Sequence, residues 1–407
     1  MNTNRISSLA IAIALLKISL QTAAVASSDE TASKAAETRT EEAAQGTVEG
    51  SLEKREETDG VRLGGALSFT YFYLDFSDHS KNKGGDMELD NFRLKVDGRQ
   101  DDLSLHVEYQ WYSFQDALYQ GWVGYRVSDA WQWQLGVTRV PFGLLPYGSH
   151  SFLYSLPFYI GLEDDNDFGL KMIWDRGGWN LQLAFFKNAE WGNASKLERA
   201  SFDVVVNTQS NEEANQLNGR LTRIFEHGGL GSSEVGLSGQ WGGIYNSTTE
   251  DSGDMWAAAA HFNGVYGPLN LQIEAISYRY HPENPAGVSG DTIEVGAFGV
   301  SSLVASEAEI YLVNLAYDVP VRWGPIEKLT FYNDYATLAK RADFPYSHFN
   351  ATGCFVSAGP LYAYVDYFQG KNALFLGGGT NPYGAAADSD DEWHARFNIN
   401  VGYNFNF

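Results

Sequence analysis

The residues of this chain best suited to act on other molecules are basic side chains that alternate with apolar ones. Arg93 and Lys95 are separated by Leu94 and flanked by Phe92 and Val96. The same alternation places four further basic residues on the polar faces of their segments: Arg126, Lys171, Arg220 and Arg396. Charges around a narrow aqueous path focus an electric field and select among ions. The pattern therefore predicts weak, reversible binding of small charged solutes, without covalent chemistry.

Acidic residues share these polar faces, among them Asp97, Glu108, Glu274 and Asp318. Because both signs of charge are present, the sign of any ion selectivity stays open. Each basic residue also has an alternative role, as one half of a salt bridge that only braces the wall. Exposed pairs of that kind contribute little stability by themselves.

Local motifs of enzyme active sites are absent from the sequence. Five of the eight histidines fall between the predicted strands and have no histidine partner four residues away: His79, His150, His227, His281 and His348. No H-E-x-x-H motif, glycine-rich phosphate loop or nucleophile elbow occurs. We therefore expect no catalytic residues, no cofactor and no bound metal. A catalytic triad assembled across several strands would leave no local signature, so an enzyme remains an alternative.

The secondary structure that positions these residues is indicated most clearly by the alternation at the carboxyl terminus. From Trp393 to Phe407 every second residue is apolar or aromatic, and the residues between them are amides, charged residues or glycine. A period of two is that of a β-strand. One apolar face and one polar face suit a wall between lipid and water, which is the requirement on a transmembrane β-barrel.

Similar segments recur along the chain and give about 16 strands. The predicted segments are 61–76, 89–98, 103–111, 117–127, 131–140, 167–175, 179–188, 214–225, 233–245, 255–266, 269–280, 308–319, 327–338, 349–358, 361–369 and 392–407. Every second connection between them is short, and the opposite set is predicted to be long, as in outer-membrane barrels. The expected fold class is all-β, a transmembrane antiparallel β-barrel. A secreted or periplasmic all-β domain is the alternative.

The amino terminus reads as an export signal. Residues 1–26 contain Arg5, an apolar stretch and the cleavage motif Ala24-Val25-Ala26. Residues 27–60 are rich in Glu, Ala and Thr, which predicts a polar acidic linker or a short helix. The barrel would then occupy residues 61–407 in the bacterial outer membrane, in contact with lipid and lipopolysaccharide.

Net charge excludes one class of partner. The formal charge of the chain is −23. A field of that sign repels nucleic acid, so no nucleic-acid partner is expected.

The connection after the fifth strand, residues 141–166, is long and unusually apolar. Pro141 ends the strand because it has no N–H to donate to the ladder. A barrel of about 16 strands is too wide for its wall side chains to fill, so we expect this loop to fold inward and narrow the pore. Lying over the mouth or contacting a neighbouring subunit is the alternative. The candidate constriction residues are Tyr147, His150, Tyr154, Glu163, Asp164 and Asp165.

Several short pieces, in order, resemble the phosphate-selective porin family, also called porins O and P. They are residues 92–98, 106–109, 121–125, 135–136, 140–143, 358–362 with Asp366, and 370–372. The resemblance spans about residues 61–407 and implies a homotrimer of 16-stranded barrels for passive uptake, of phosphate in the best-known members. Two departures argue against carrying over the substrate. Residues 141–167 contain no Lys or Arg, and Val140 stands where the family has glutamate.

The sequence as a whole predicts an outer-membrane porin that passes small hydrophilic solutes or ions, with anions as one candidate class. The competing hypothesis is a plugged outer-membrane barrel with a surface activity, either a hydrolase or an adhesion module.

Overall fold

A closed antiparallel barrel of sixteen strands forms the body of the protein. The computed structural model describes residues 59–377, 379, 381–384 and 391–407. The barrel strands are β1 (Gly60–Leu74), β2 (Asp86–Gln100), β3 (Leu103–Tyr112), β4 (Asp116–Ser128), β5 (Trp131–Arg139), β6 (Asn166–Arg176), β7 (Trp179–Ala189), β9 (Asn211–Glu226), β10 (Ser232–Asn246), β11 (Asp251–Tyr266), β12 (Leu269–His281), β15 (Glu307–Trp323), β16 (Ile326–Lys340), β17 (Ser347–Ala358), β18 (Leu361–Lys371) and β19 (Trp393–Asn406). Strand β1 pairs with both β2 and β19, which closes the sheet.

The predicted barrel is confirmed, and each predicted segment corresponds to one of these strands within a few residues. The prediction that residues 1–26 are an export signal lies outside the described residues. So does nearly all of the predicted linker 27–60. Among the described residues, no helix is both long enough and apolar enough to cross a membrane.

Alternation along the strands separates two environments. On β15, Tyr311, Val313, Leu315 and Tyr317 point outward and are exposed, whereas the residues between them are buried. Two tyrosines therefore bracket an apolar band, the arrangement of a lipid-facing wall with aromatic girdles. Closure pairs the backbone groups of every strand, which a wall in hydrocarbon requires.

The connections follow the predicted alternation of short and long only in part. One end of the barrel carries the short turns 101–102, 129–130, 177–178, 267–268, 324–325 and 359–360. At the opposite end the connections 140–165, 190–210, 282–306 and 372–392 are long, but 113–115 and 247–250 are also short. The expectation that every connection of the outer set is long was therefore wrong. In outer-membrane barrels the short turns are periplasmic, so the long connections mark the outer end.

A second, three-stranded sheet is separate from the barrel sheet, shares a core with inward residues of the barrel, and was not predicted. It pairs β8 (Asp203–Val204) with β13 (Thr292–Ala297), and β13 with β14 (Val300–Ala305). All residues of β8 and β13 are buried. A strand buried on both faces need not alternate in polarity, and β8 is only two residues long, so the period-two pattern gave no signal here.

The inner face of the barrel is apolar towards the outer end, contrary to a water-filled lumen along its whole height. Inward residues of several strands form one apolar cluster with the long connections, including Ile276, Tyr278, Ile310, Leu312 and Leu338. The polar inner wall lies nearer the short turns, where Asn314 and Gln272 are hydrogen-bonded to each other at 3.1 Å. On the side of β12, β15 and β16 the upper barrel is therefore packed like a protein core.

A charge placed on the lipid-facing band tests the assignment of outside and inside. Leu315→Arg should lower the free energy of unfolding in lipid vesicles by about 2–4 kcal/mol, the cost of a basic side chain near the midplane. Leu230→Arg, which changes an exposed residue of the turn 227–231, should cost about 0–1 kcal/mol because it lies near the interface. Urea titrations of both variants provide the measurement. Equal costs would contradict the membrane placement.

Candidate functional site: the constriction loop and the lumen wall

The connection between β5 and β6, residues 140–165, crosses the lumen; we call it the constriction loop. Its first turn is fastened to strands on the far wall. The Gly143 N–H donates to Ser238 Oγ at 2.9 Å, and Arg220 Nε donates to the Gly143 carbonyl at 2.8 Å. The Leu144 N–H donates to Glu274 Oε1 at 3.2 Å. These three partners belong to β10, β9 and β12, so the loop lies inside the barrel.

Gly143 is required where the loop meets the wall. Its φ is +61°, in the left-handed region that favours glycine. A Cβ on this residue would lie 2.5 Å from Glu274 Oε1. The loop backbone can approach the Glu274 carboxylate only because this position has no side chain.

The tip of the constriction loop is attached farther round the barrel. The Asp334 carboxylate of β16 accepts the His150 N–H at 2.6 Å and contacts His150 Nδ1 at 2.7 Å. Asn314 Nδ2 of β15 donates to the Gly148 carbonyl at 2.8 Å, and the Phe152 N–H donates to Asp366 Oδ2 of β18 at 3.4 Å. The predicted inward-folding loop is confirmed, and the alternative positions over the mouth or on a neighbour were wrong.

His150 is held on both ring nitrogens. Nδ1 faces Asp334, and Nε2 is 2.6 Å from Asn270 Oδ1. Burial disfavours the charged ring, but the adjacent Asp334 carboxylate outweighs it and raises the pKa of His150 above its usual value. Although Ser149, His150 and Asp334 are neighbours, Ser149 Oγ donates to Asp334 at 3.0 Å and not to the imidazole. This arrangement anchors a loop and lacks the serine–histidine bond of a hydrolase triad.

The returning half of the loop is an aromatic packing unit. Helix α1 (Leu156–Tyr159) is fully buried, and the Phe158 ring stacks on Tyr154 at a centroid distance of 4.0 Å. Phe158 also meets Phe202 at 5.5 Å and Phe298 at 6.1 Å, which belong to the next two long connections. Aromatic pairs of this kind add to the stability that apolar burial provides. The constriction loop and the two neighbouring outer connections therefore share one core.

The two ends of the loop are joined at the barrel wall. Arg139 Nη2 contacts Asp164 Oδ1 at 2.9 Å, and the Tyr119 hydroxyl donates to the same oxygen at 2.5 Å. The Val140 N–H donates to the Asp165 carbonyl at 2.8 Å. Arg139, which stands two residues before Pro141 at the end of its strand, was not among the predicted site residues. Its inward pairing depended on an acid twenty-five residues later in the chain.

The predicted constriction residues fall into three groups. His150 and Glu163 fasten the loop, since Glu163 Oε2 accepts the Gly148 N–H at 2.9 Å across the loop itself. Tyr147 and Tyr154 form an edge-to-face pair at 4.6 Å. Asp164 and Asp165 lie buried at the base. The loop partners Ser238, Asn314, Asp334 and Asp366 were not predicted, although each is an inward polar residue in an alternating strand and Asp366 was noted within the family resemblance.

The predicted pore-lining residues divide by exposure. Lys171 and Arg220 are buried: Lys171 Nζ donates to the Arg139 carbonyl at 3.0 Å, and Arg220 Nη2 pairs with Glu234 Oε1 at 2.8 Å. They fasten the loop region and meet little solvent. Arg126 is partly exposed near the turn 129–130.

Water reaches the inner wall on the side away from the loop attachments. Arg93 keeps 38% of its side chain exposed at 3.7 Å from Glu108, and Lys95 keeps 44% at 3.9 Å from Asp97. Arg396 of β19 is partly exposed and lies 5.0 Å from the Phe72 ring. Arg93 and Lys95 thus present cationic groups to the solvent inside the barrel, next to β1 and β19.

Three solved structures with this architecture were compared with the chain. OmpT, an outer membrane protein of Vibrio cholerae, aligns with a TM-score of 0.55 at 13% identity over 87% of this chain and 100% of its own. The outer membrane channel DcaP of Acinetobacter baumannii gives a TM-score of 0.53 at 12% identity over 87% and 99%. The chain has the fold of an outer-membrane β-barrel. With its apolar outer surface, this fold places the barrel in the bacterial outer membrane.

An anion-selective porin from Comamonas acidovorans also shares the fold, with a TM-score of 0.52 at 12% identity over 85% of this chain and 99% of its own. No family model matches the sequence, and no curated protein matches it in a sequence comparison. At these identities the barrel shares its architecture with the three structures, and its selectivity must be argued from its own residues.

The attachment of the loop tip can be tested by amide exchange. Asp334→Ala removes the acceptor of the His150 N–H and the partner of its ring. Hydrogen bonds to charged groups contribute about 1.5–3 kcal/mol, so exchange at residues 148–152 should accelerate on the order of 10- to 100-fold. Hydrogen–deuterium exchange with mass spectrometry measures this in micelles. Asp97→Ala, which removes an inner-wall acid paired with His106, should leave the loop tip unchanged.

Proposed function

We propose that the protein is an outer-membrane diffusion porin for small hydrophilic solutes, with a preference for anions. The observation that carries the proposal is the constriction loop, which is fastened across the lumen while Arg93 and Lys95 stay in contact with water. The loop narrows the path towards one side of the barrel. Any solute that crosses the barrel must then pass close to the two basic side chains of β2.

The expected mechanism is electrostatic. In a narrow path with low-dielectric walls, fixed charges raise the local concentration of counter-ions. Arg93 and Lys95 each lie about 4 Å from an acid, Glu108 and Asp97 respectively. These pairs reduce the positive field without removing it, because the basic groups reach into the lumen. A moderate preference for anions follows, with binding weak enough to allow release.

The proposed substrate class is small anions in general and not phosphate in particular. Stripping water from phosphate requires dense positive charge and N–H donors. Residues 141–167, which form nearly all of the constriction loop, contain no Lys or Arg, and Lys171 and Arg220 are engaged in holding the loop. Membership of the phosphate-selective porin family therefore stays a hypothesis. Assembly as a homotrimer, which that resemblance implies, is part of the same hypothesis.

One observation favours a second candidate, a plugged barrel with a surface role. The apolar core between the constriction loop and the second sheet fills part of the outer end, including Leu156, Phe158, Phe202 and Ile293. A core that also covered the side near β1 and β2 would stop solute flow. Measurement of conductance separates the two candidates.

The purified full-length protein, reconstituted in planar lipid bilayers, should give stepwise current increases as single channels insert. A correctly folded barrel that stays silent would falsify the porin proposal and favour the plugged barrel. Folding is checked independently by circular dichroism of the same preparation.

Selectivity should depend on the two exposed basic residues. In a potassium chloride gradient, Arg93→Ala or Lys95→Ala should shift the reversal potential towards cation preference. A unit charge at 4 Å in water favours chloride and disfavours potassium by about 1 kcal/mol each, so the chloride-to-potassium permeability ratio should fall by up to roughly 30-fold. Arg322→Ala removes an exposed charge near the turn 324–325 and should have little effect. An unchanged reversal potential in both test variants would remove these residues from the selectivity role.

A further inference from the structure

A cluster of buried carboxylates joins the base of the constriction loop to the next long connection. Asp165 ends the loop, Asp167 is the second residue of β6, and Asp203 belongs to the second sheet. One oxygen from each lies within 4.8 Å of the others. The three residues are 3%, 1% and 0% exposed. The acids that pair with the exposed basic residues of β2 are Glu108 and Asp97, so this cluster takes no part in those pairs.

The oxygens of this cluster have too few hydrogen-bond donors. Asp165 Oδ1, Asp167 Oδ1 and Asp203 Oδ1 are buried without a partner. Among the described residues, no hydrogen bond or ion pair reaches the side chains of Asp165 and Asp167. Buried polar groups in native proteins are almost always paired with protein, water or an ion. Buried carboxylates that lie this close together with so few donors form a pocket that suits a cation.

A fourth buried carboxylate lies next to Asp203, on the other side of Arg199. Glu190, at the start of the connection 190–210, is 6% exposed, and neither of its oxygens accepts a hydrogen bond. Arg199 Nη1 lies 3.4 Å from Glu190 Oε2 and 2.8 Å from Asp203 Oδ2, so one guanidinium bridges the two acids.

The buried acids of this cluster outnumber the basic residues that neutralise them. Arg199 supplies one positive charge against Asp165, Asp167, Asp203 and Glu190, and Glu213 adds a fifth acid nearby. Buried charges of one sign are stable only when they take up protons or bind a cation.

We propose that Asp165, Asp167 and Asp203 bind one calcium ion. The donors are all carboxylate oxygens, which hard cations prefer. No imidazole or thiolate belongs to the cluster, which disfavours zinc and copper. Magnesium usually keeps several waters and demands octahedral geometry, whereas calcium accepts many protein oxygens in an irregular site. The ion would tie the base of the constriction loop to the connection 190–210.

The test uses the full-length chain in detergent micelles, stripped with EDTA and dialysed. Isothermal titration with calcium chloride should give one ion bound per chain. Asp167→Asn and Asp203→Asn keep the shape of the side chain but remove its charge, and each should abolish stoichiometric binding. Asp251→Asn alters an exposed acid at the same end of the barrel and should bind calcium as the wild type does.

Thermal unfolding guards against variants that fail to fold. Calcium should raise the unfolding temperature of the wild type and of Asp251→Asn, but not that of Asp167→Asn. In EDTA, Asp167→Asn should be at least as stable as the wild type because it removes buried repulsion. The proposal is overturned if the wild type neither binds calcium nor gains stability at millimolar concentration, or if Asp167→Asn binds equally well. Tighter binding of magnesium than of calcium would overturn the choice of ion.

Discussion

Everything in this structure depends on the requirement that a backbone in hydrocarbon satisfy its own hydrogen bonds. A closed ladder meets it, since β1 pairs with β19 and leaves no free edge. Closure then gives every strand one side towards lipid and one towards the interior. The alternation of side chains follows from that division, and so does the space that the constriction loop enters.

Two kinds of interaction hold the constriction loop inside the barrel. Towards the outer end, apolar packing joins the loop to the inner wall and to the second sheet. Nearer the short turns, directed hydrogen bonds take over, as at Gly143, His150 and Asp334. Apolar packing is non-directional and contributes stability, whereas the charged bonds fix the position of the tip. The basic residues left in water are those on the side that neither interaction covers.

Much of this architecture can be read from sequence because lipid imposes a strict period of two on every strand. The sixteen segments, the loop after β5 and the inward side of Arg93 and Arg220 all follow from that period. The anchoring partners could not be read, because Asp334 and Glu274 meet the loop only after distant strands close into a ring. The second sheet was not predicted for a different reason, because β13 is buried on both faces and shows no alternation.

The attachments of the loop tip also set the order of assembly. His150 and Phe152 are fastened by Asp334 and Asp366, residues made about two hundred positions later in the chain. Contacts so remote in sequence form late, after the entropy of closing long segments has been overcome. We therefore expect the loop tip to be fastened only after the barrel has closed, so that the narrow passage is completed late in folding.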